Sequence, residues 1–184
     1  MHSMTEAAIT KLPPLADCLE ELDIFKPVQD GWQLPTKLVR PKAKTTSHKP
    51  LIMHFFGGGF MAEEPEQLLN VARAFAESHD AVVALPSYRL VPEVRWPTPC
   101  HDSWHVLVWL SEHAEELGAN LNVGFIVCGV SAGASLPAVC GGLSMYPNLK
   151  EAQDVPKPAR PLTGQFLSVP GLVMEENLPA QYQT

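Results

Sequence analysis

Apolar residues in this chain fall into short unbroken runs, and between the runs they recur at helical spacing. Leu51 to Phe56, Ala81 to Pro86 and Val123 to Cys128 are too short for helices and read as strands buried on both faces. Leu162 to Val169 predicts a further strand. Glu66 to His79 carries Leu68, Leu69, Ala72, Phe75 and Ala76 on one helical face, and His101 to Leu117 repeats that spacing through Val106, Leu107 and Leu110. Strands alternating with helices, with apolar rather than alternating runs, predict an α/β architecture: a mostly parallel sheet with helices on both faces. Upstream, Leu34, Thr36, Leu38 and Arg40 alternate within Trp32 to Pro41 as in an edge strand, after a turn signal at Asp30-Gly31. Pro13 to Phe25 reads as a short N-terminal helix or cap. Pro41 to Pro50 reads as a solvated basic loop, Ser87 to Pro99 as a proline-punctuated one, and Pro147 to Pro161 as a surface loop.

One break in the pattern stands out. After the run ending at Cys128, the chain turns abruptly through Gly129-Val130-Ser131-Ala132-Gly133 into small, helix-compatible residues. A buried strand, a tight turn and a helix are predicted, and the turn fits G-x-S-x-G, with a serine at a strained apex between glycines that let strand and helix approach. Ser131 is therefore the candidate nucleophile.

Length and charge narrow the classes. The 184 residues suit one domain, and 46% hydrophobic against 18% charged residues is a globular balance. A net charge of −7 with scattered basic residues argues against nucleic acid as a partner. Leu117 to Leu149 contains no charged residue, but Asn120, Asn122, the glycine turn and Pro137 interrupt it, so a buried strand and helix is expected rather than a membrane span. No secretion signal is expected in Met1 to Asp23. Cys18, Cys100, Cys128 and Cys140 form no C-x-x-C pair and read as reduced thiols in a cytoplasmic protein.

Three ordered segments then give a resemblance. His54-Phe-Phe-Gly-Gly-Gly-Phe60 is similar to an H-G-G-G loop, Ser87-Tyr-Arg-Leu-Val-Pro-Glu93 to a Y-R-L-x-P-E signature, and Gly129 to Gly133 to the G-x-S-x-G elbow. With Trp96-Pro97, Asp102 and Trp109-Leu110, these resemble the hormone-sensitive-lipase branch of the α/β-hydrolases from about Trp32 to Leu172. The resemblance implies a serine esterase or lipase-like hydrolase of carboxylic esters that acts through an acyl-Ser131 intermediate. It implies Gly58, Gly59 and Ala132 as the oxyanion-hole N–H donors, and it implies no cofactor and no metal. A small-molecule ester is the expected substrate.

The departures from the family pattern shape the remaining expectations. Phe56 stands where the motif usually has histidine, with His54 two residues earlier; Val130 replaces an acidic residue and Ala134 a glycine. The family's triad runs Ser, then acid, then His, yet no histidine follows His113. The acids after Ser131, namely Glu151, Asp154, Glu175 and Glu176, read as surface charges. The chain is therefore expected to be a partial domain, truncated after about the sixth strand, with residues 1–27 a cap segment and 28–184 the core sheet, oxyanion loop and elbow. Self-association through an uncovered sheet edge is expected, and a non-catalytic binding or interaction protein is the alternative function.

Two rival sites are weaker. His101-Asp-Ser-Trp-His105 spaces two histidines one helical turn apart, with His113 beyond, but Asp102 is a methylene short of a metalloprotease glutamate and reads as a helix cap. Gly57, Gly59 and Ala62 fit G-x-G-x-x-A, but Leu85-Pro86-Ser87 stands where a ribose-binding acid belongs. Arg89 and Glu93 are expected to fix their loop, and Trp96, Trp104 and Trp109 to pack.

Overall fold

A computed structural model describes residues 11–28, 30–42, 48–146, 148, 150–153, 155–172 and 180–182. Six strands form one sheet: β1 (Leu19–Pro27), β2 (Gln33–Pro41), β3 (Leu51–Phe55), β4 (Val82–Pro86), β5 (Phe125–Val130) and β6 (Gly164–Ser168), in the spatial order β1-β2-β4-β3-β5-β6. β4, β3, β5 and β6 run parallel, while β1 and β2 add an antiparallel flank. The helices are α1 (Leu69–His79), α2 (Thr98–Glu112), α3 (Ala132–Met145) and the short α4 (Lys150–Gln153). α1 packs over β1, β2 and β4, whereas α3 packs over β3, β5 and β6 and against α2. The sheet is mostly parallel and carries helices on both faces.

The central strands are where the apolar runs put them. All five residues of β3 and all five of β4 are buried, because each strand has neighbours on both sides and helices above and below. β5 is held to β3 in the register Leu51↔Phe125 to Phe55↔Gly129, so the two glycine-rich turns leave the sheet side by side. That pairing positions the candidate site.

Three expectations are corrected. Residues 19–25 are strand, not helix, because Leu19–Pro27 pairs along its whole length with β2 and its acids meet β2's cations, Asp23 with Lys37 at 2.6 Å and Glu20 with Arg40 at 2.7 Å. β2 is consequently an interior strand rather than an edge. In the basic loop, Lys49 is not solvated: its side chain is buried and its ammonium lies 3.1 Å from Asp80.

Within Leu117 to Leu149 the described residues include the turn before β5, β5 itself and α3, and among the described residues no helix is long and apolar enough to cross a membrane. At the far edge, β6 leaves Phe166 exposed, as are Val169 and Leu172 just beyond it. Asp154, Glu175 and Glu176 lie outside the described residues, as does Pro147 at the start of the predicted loop.

Candidate active site

β5 ends at Val130 and α3 begins at Ala132, so a single residue, Ser131, makes the whole reversal. It does so at φ 54°, ψ −126°, a backbone conformation that L-residues rarely adopt. The glycines on either side make this possible. A Cβ on Gly129 would collide with the Gly133 carbonyl, and one on Gly133 would collide with the carbonyl of Phe56 on the neighbouring turn. Strand β5, helix α3 and the end of β3 therefore meet backbone to backbone. Ser131's own N–H donates to the Ser168 carbonyl of β6 at 2.8 Å, which ties the apex to a fourth element. The side chain of this exposed serine sits at the N-terminus of a fourteen-residue helix, where the first N–H groups have no intrahelical acceptor and the helix dipole favours negative charge.

The second turn leaves β3 at Phe56 and passes Ser131 closely. A Cβ built on Gly57 would lie 3.3 Å from the Ser131 Cβ and 3.1 Å from the Val130 carbonyl. Gly58 and Gly59 follow at φ 124° and 64°, and Phe60 also has positive φ, so the backbone curls tightly enough that Met61 and Ala62 both donate to the Gly58 carbonyl at 3.1 Å. Among the described loop and cap hydrogen bonds, the N–H groups of Gly58, Gly59 and Ala132 are not spent on other backbone carbonyls. The Phe56 carbonyl accepts from the Tyr88 hydroxyl at 2.9 Å, and the Gly57 N–H donates to Gln67 Oε1 at 2.9 Å. Burial pushes the Tyr88 phenol far above its ordinary range, so it stays a donor.

Among the described residues, no histidine hydrogen-bonds to Ser131. His54 is buried in β3 with its ring stacked over Phe75 at 6.5 Å between centroids, and its Nδ1 has no hydrogen-bond partner. Burial lowers its pKa to about 4, so the ring is neutral at physiological pH. His113 stacks on Trp109 at 4.2 Å, and His101 and His105 line a groove of about 270 Å³ with Asp30, Arg89, Val94 and Thr98. Among the described residues, no group of three or more His, Cys, Asp or Glu side chains is arranged to hold a metal ion.

Asp102 is not a helix cap: α2 begins at Thr98 with no side-chain cap bond. It is fully buried and grips Arg89 through three contacts, from the Arg89 N–H at 3.0 Å, Nε at 2.9 Å and Nη2 at 2.6 Å. Arg89 also reaches Asp30 in the β1–β2 turn, so its expected role in fixing the loop is met by two carboxylates, which hold its pKa above the usual range. Trp104 is buried and donates to the Pro156 carbonyl, Trp109 lies beneath Lys26, and Trp96 meets the Phe60 ring edge-on at 5.3 Å. Tyr88 was visible in the Ser87 to Glu93 segment, but its contact with Phe56 was not. Gln67 carried no local signal, since its partner lies across the turn.

Residues 52–183 match the family model described as the alpha/beta hydrolase fold. The carboxylesterase NlhH of Mycobacterium tuberculosis is 35% identical over 173 residues, covering 92% of this chain and 50% of its own length. The esterase LipI of the same organism is 30% identical over 140 residues, covering 76% of this chain and 40% of its own. Among solved structures, a bacterial heroin esterase is similar with a TM-score of 0.74 at 27% identity, over 90% of this chain and 49% of that one. A thermostable carboxylesterase cloned from a metagenomic library gives a TM-score of 0.75 at 27% identity, over 96% and 54%. The chain spans about half the length of the curated relatives it matches, 40% to 50% in these two.

Proposed function

Because this chain belongs to the α/β-hydrolase fold family, in its hormone-sensitive-lipase-like branch, we propose that it supplies the nucleophile and oxyanion half of a carboxylic ester hydrolase. The observation that carries this reading is the backbone of Ser131, held at φ 54° where strand, helix and glycine turn converge. Strain of that kind costs about 1–3 kcal/mol and persists where surrounding structure enforces it. In the proposed step, Ser131 Oγ adds to the ester carbonyl carbon, and the carbonyl oxygen becomes negative facing the N–H groups of Gly58, Gly59 and Ala132. The bond to the alcohol breaks, leaving an acyl-serine for water to cleave. The base that takes the Oγ proton is a group the described residues do not set beside Ser131, since His54 is stacked on Phe75.

The proposed organisation is one partial domain, with 1–27 an N-terminal cap segment and 28–184 the core sheet, oxyanion loop and elbow; β1, within the first segment, extends that sheet by pairing with β2. The four free thiols support a reducing, cytoplasmic setting. A small-molecule ester is the proposed substrate. The exposed Phe166, Val169 and Leu172 at the β6 edge favour a second reading, an interaction protein that self-associates through that edge.

Hydrolysis of p-nitrophenyl acetate by the purified chain, with Ser131→Ala alongside, tests the first reading. Release lost in the variant supports it. Equal rates refute it, and concentration-dependent mass in sedimentation would then favour the second.

A further inference from the structure

The Tyr88 and Gln67 contacts meet on one object. The carbonyl of Phe56 and the N–H of Gly57 are the two polar ends of a single planar peptide unit, and each end is held by a different side chain, at 2.9 Å in both cases. We propose that Tyr88 and Gln67 are positioning residues that clamp this peptide and so set the height and tilt of the 57–59 loop against Ser131. The proposal rests on the reading of Ser131 as an ester-hydrolase nucleophile.

The peptide's surroundings explain why a clamp is needed there. One face is pressed against Gly133, where not even a methyl fits, and Gly57 runs beside the Ser131 Cβ. Beyond it come Gly58 and Gly59, residues without a Cβ to restrict them, at φ 124° and 64°. Rotation of the 56–57 peptide would therefore pass directly into the direction of the Gly58 and Gly59 N–H groups. Both jaws are rigid. Tyr88 is buried and stacks on Phe56 at 4.4 Å between centroids, with Phe60 edge-on at 6.1 Å. Gln67 sits in a 3-10 turn, Pro65–Leu68, whose Pro65 and Leu68 are buried and whose Gln67 N–H donates to the Glu64 carbonyl. Phe56 occupies the position where the family motif carries histidine, so in this chain the loop's polar restraint comes from outside the motif.

The test combines two readouts on the full chain carrying Gln67→Leu, Gln67→Glu or Tyr88→Phe. The first is amide hydrogen exchange across residues 52–60, with β4 as an internal reference. The second is single-turnover release of p-nitrophenolate from diethyl p-nitrophenyl phosphate. In that reaction the Ser131 Oγ–P bond forms, the P–O bond to nitrophenolate breaks and the Oγ proton passes to solvent. Leu and Phe variants are expected to exchange the Gly57 amide faster while β4 is unchanged, and to release nitrophenolate about 10- to 100-fold more slowly, as displacements near 1 Å do. Gln67→Glu, which keeps an acceptor at the same reach, is expected to restore both. Unchanged exchange in Gln67→Leu overturns the clamp, as does a Glu variant as defective as the Leu variant. Faster exchange with undiminished release overturns the positioning role. Altered exchange in a protein whose wild type never reacts upholds the clamp and defeats the nucleophile reading instead. Should Gln67→Leu fail to fold, Tyr88→Phe tests the same peptide from its other end.

Discussion

Replacing Ser131 with glycine should make this protein more stable. The serine holds φ 54°, ψ −126°, and residues forced into such regions cost on the order of 1–3 kcal/mol. Glycine removes that cost, but it adds about 0.5–1 kcal/mol of backbone entropy to the unfolded chain. Little is lost in exchange, because the side chain is exposed and its backbone bond to Ser168 survives the substitution. The net gain is about 1 kcal/mol, which for a chain of this size is roughly 2–4 °C in midpoint. Ser131→Ala, which keeps a Cβ and hence the strain, serves as the matched control and should stay within about 0.5 kcal/mol of the parent. Urea unfolding of the three proteins, with equal slopes, measures the difference. A glycine variant no more stable than the alanine variant would mean that the turn is relaxed, and the argument from strain to function would fall with it.

Three further outcomes are expected. Gly133→Ala should cost about 1–3 kcal/mol or more in urea unfolding, because its Cβ meets the Phe56 and Phe55 carbonyls, which are backbone and cannot swing aside. Acid should destabilise the protein through His54. Unfolded, the ring takes its proton near pH 6.5; folded, it waits until about pH 4, so between those values the unfolded state binds the extra proton and stability falls as pH drops. The loss is about 3 kcal/mol by pH 4, and His54→Phe should flatten that part of a stability-against-pH curve. Burial also raises the thiols of Cys100 and Cys128 to about 11 and of Cys140 to about 12, whereas Cys18 is exposed. A thiol-disulfide reagent at pH 7.5 should therefore modify one cysteine rapidly and the others only on unfolding.

What the sequence made legible was local in origin. β3, β4 and β5 announce themselves because a strand buried on both faces must be apolar throughout. Ser131 announces itself because the glycines its turn requires lie within two residues of it. Within Pro13 to Phe25, expected as a short helix or cap, the stretch from Leu19 is a strand for the converse reason: what makes it one is pairing with β2 and with Lys37 and Arg40, which lie well downstream. Asp102 looked like a cap because its true partner, Arg89, precedes it by a whole loop. Gln67 and Tyr88 were silent as a pair, since each touches the peptide at Phe56–Gly57 and not the other.

The bond from the Ser131 N–H to the Ser168 carbonyl sets a timetable. As the chain leaves the ribosome, β3, β5 and the glycines of both turns are all available before β6 exists. Yet the apex residue waits for an acceptor that has not been synthesised. Until Gly164–Ser168 emerges and docks on β5, the Ser131 amide lacks that anchor. The anchored form of this turn is thus completed only with the last strand of the sheet, so the geometry at residue 131 depends on chain made more than thirty residues later.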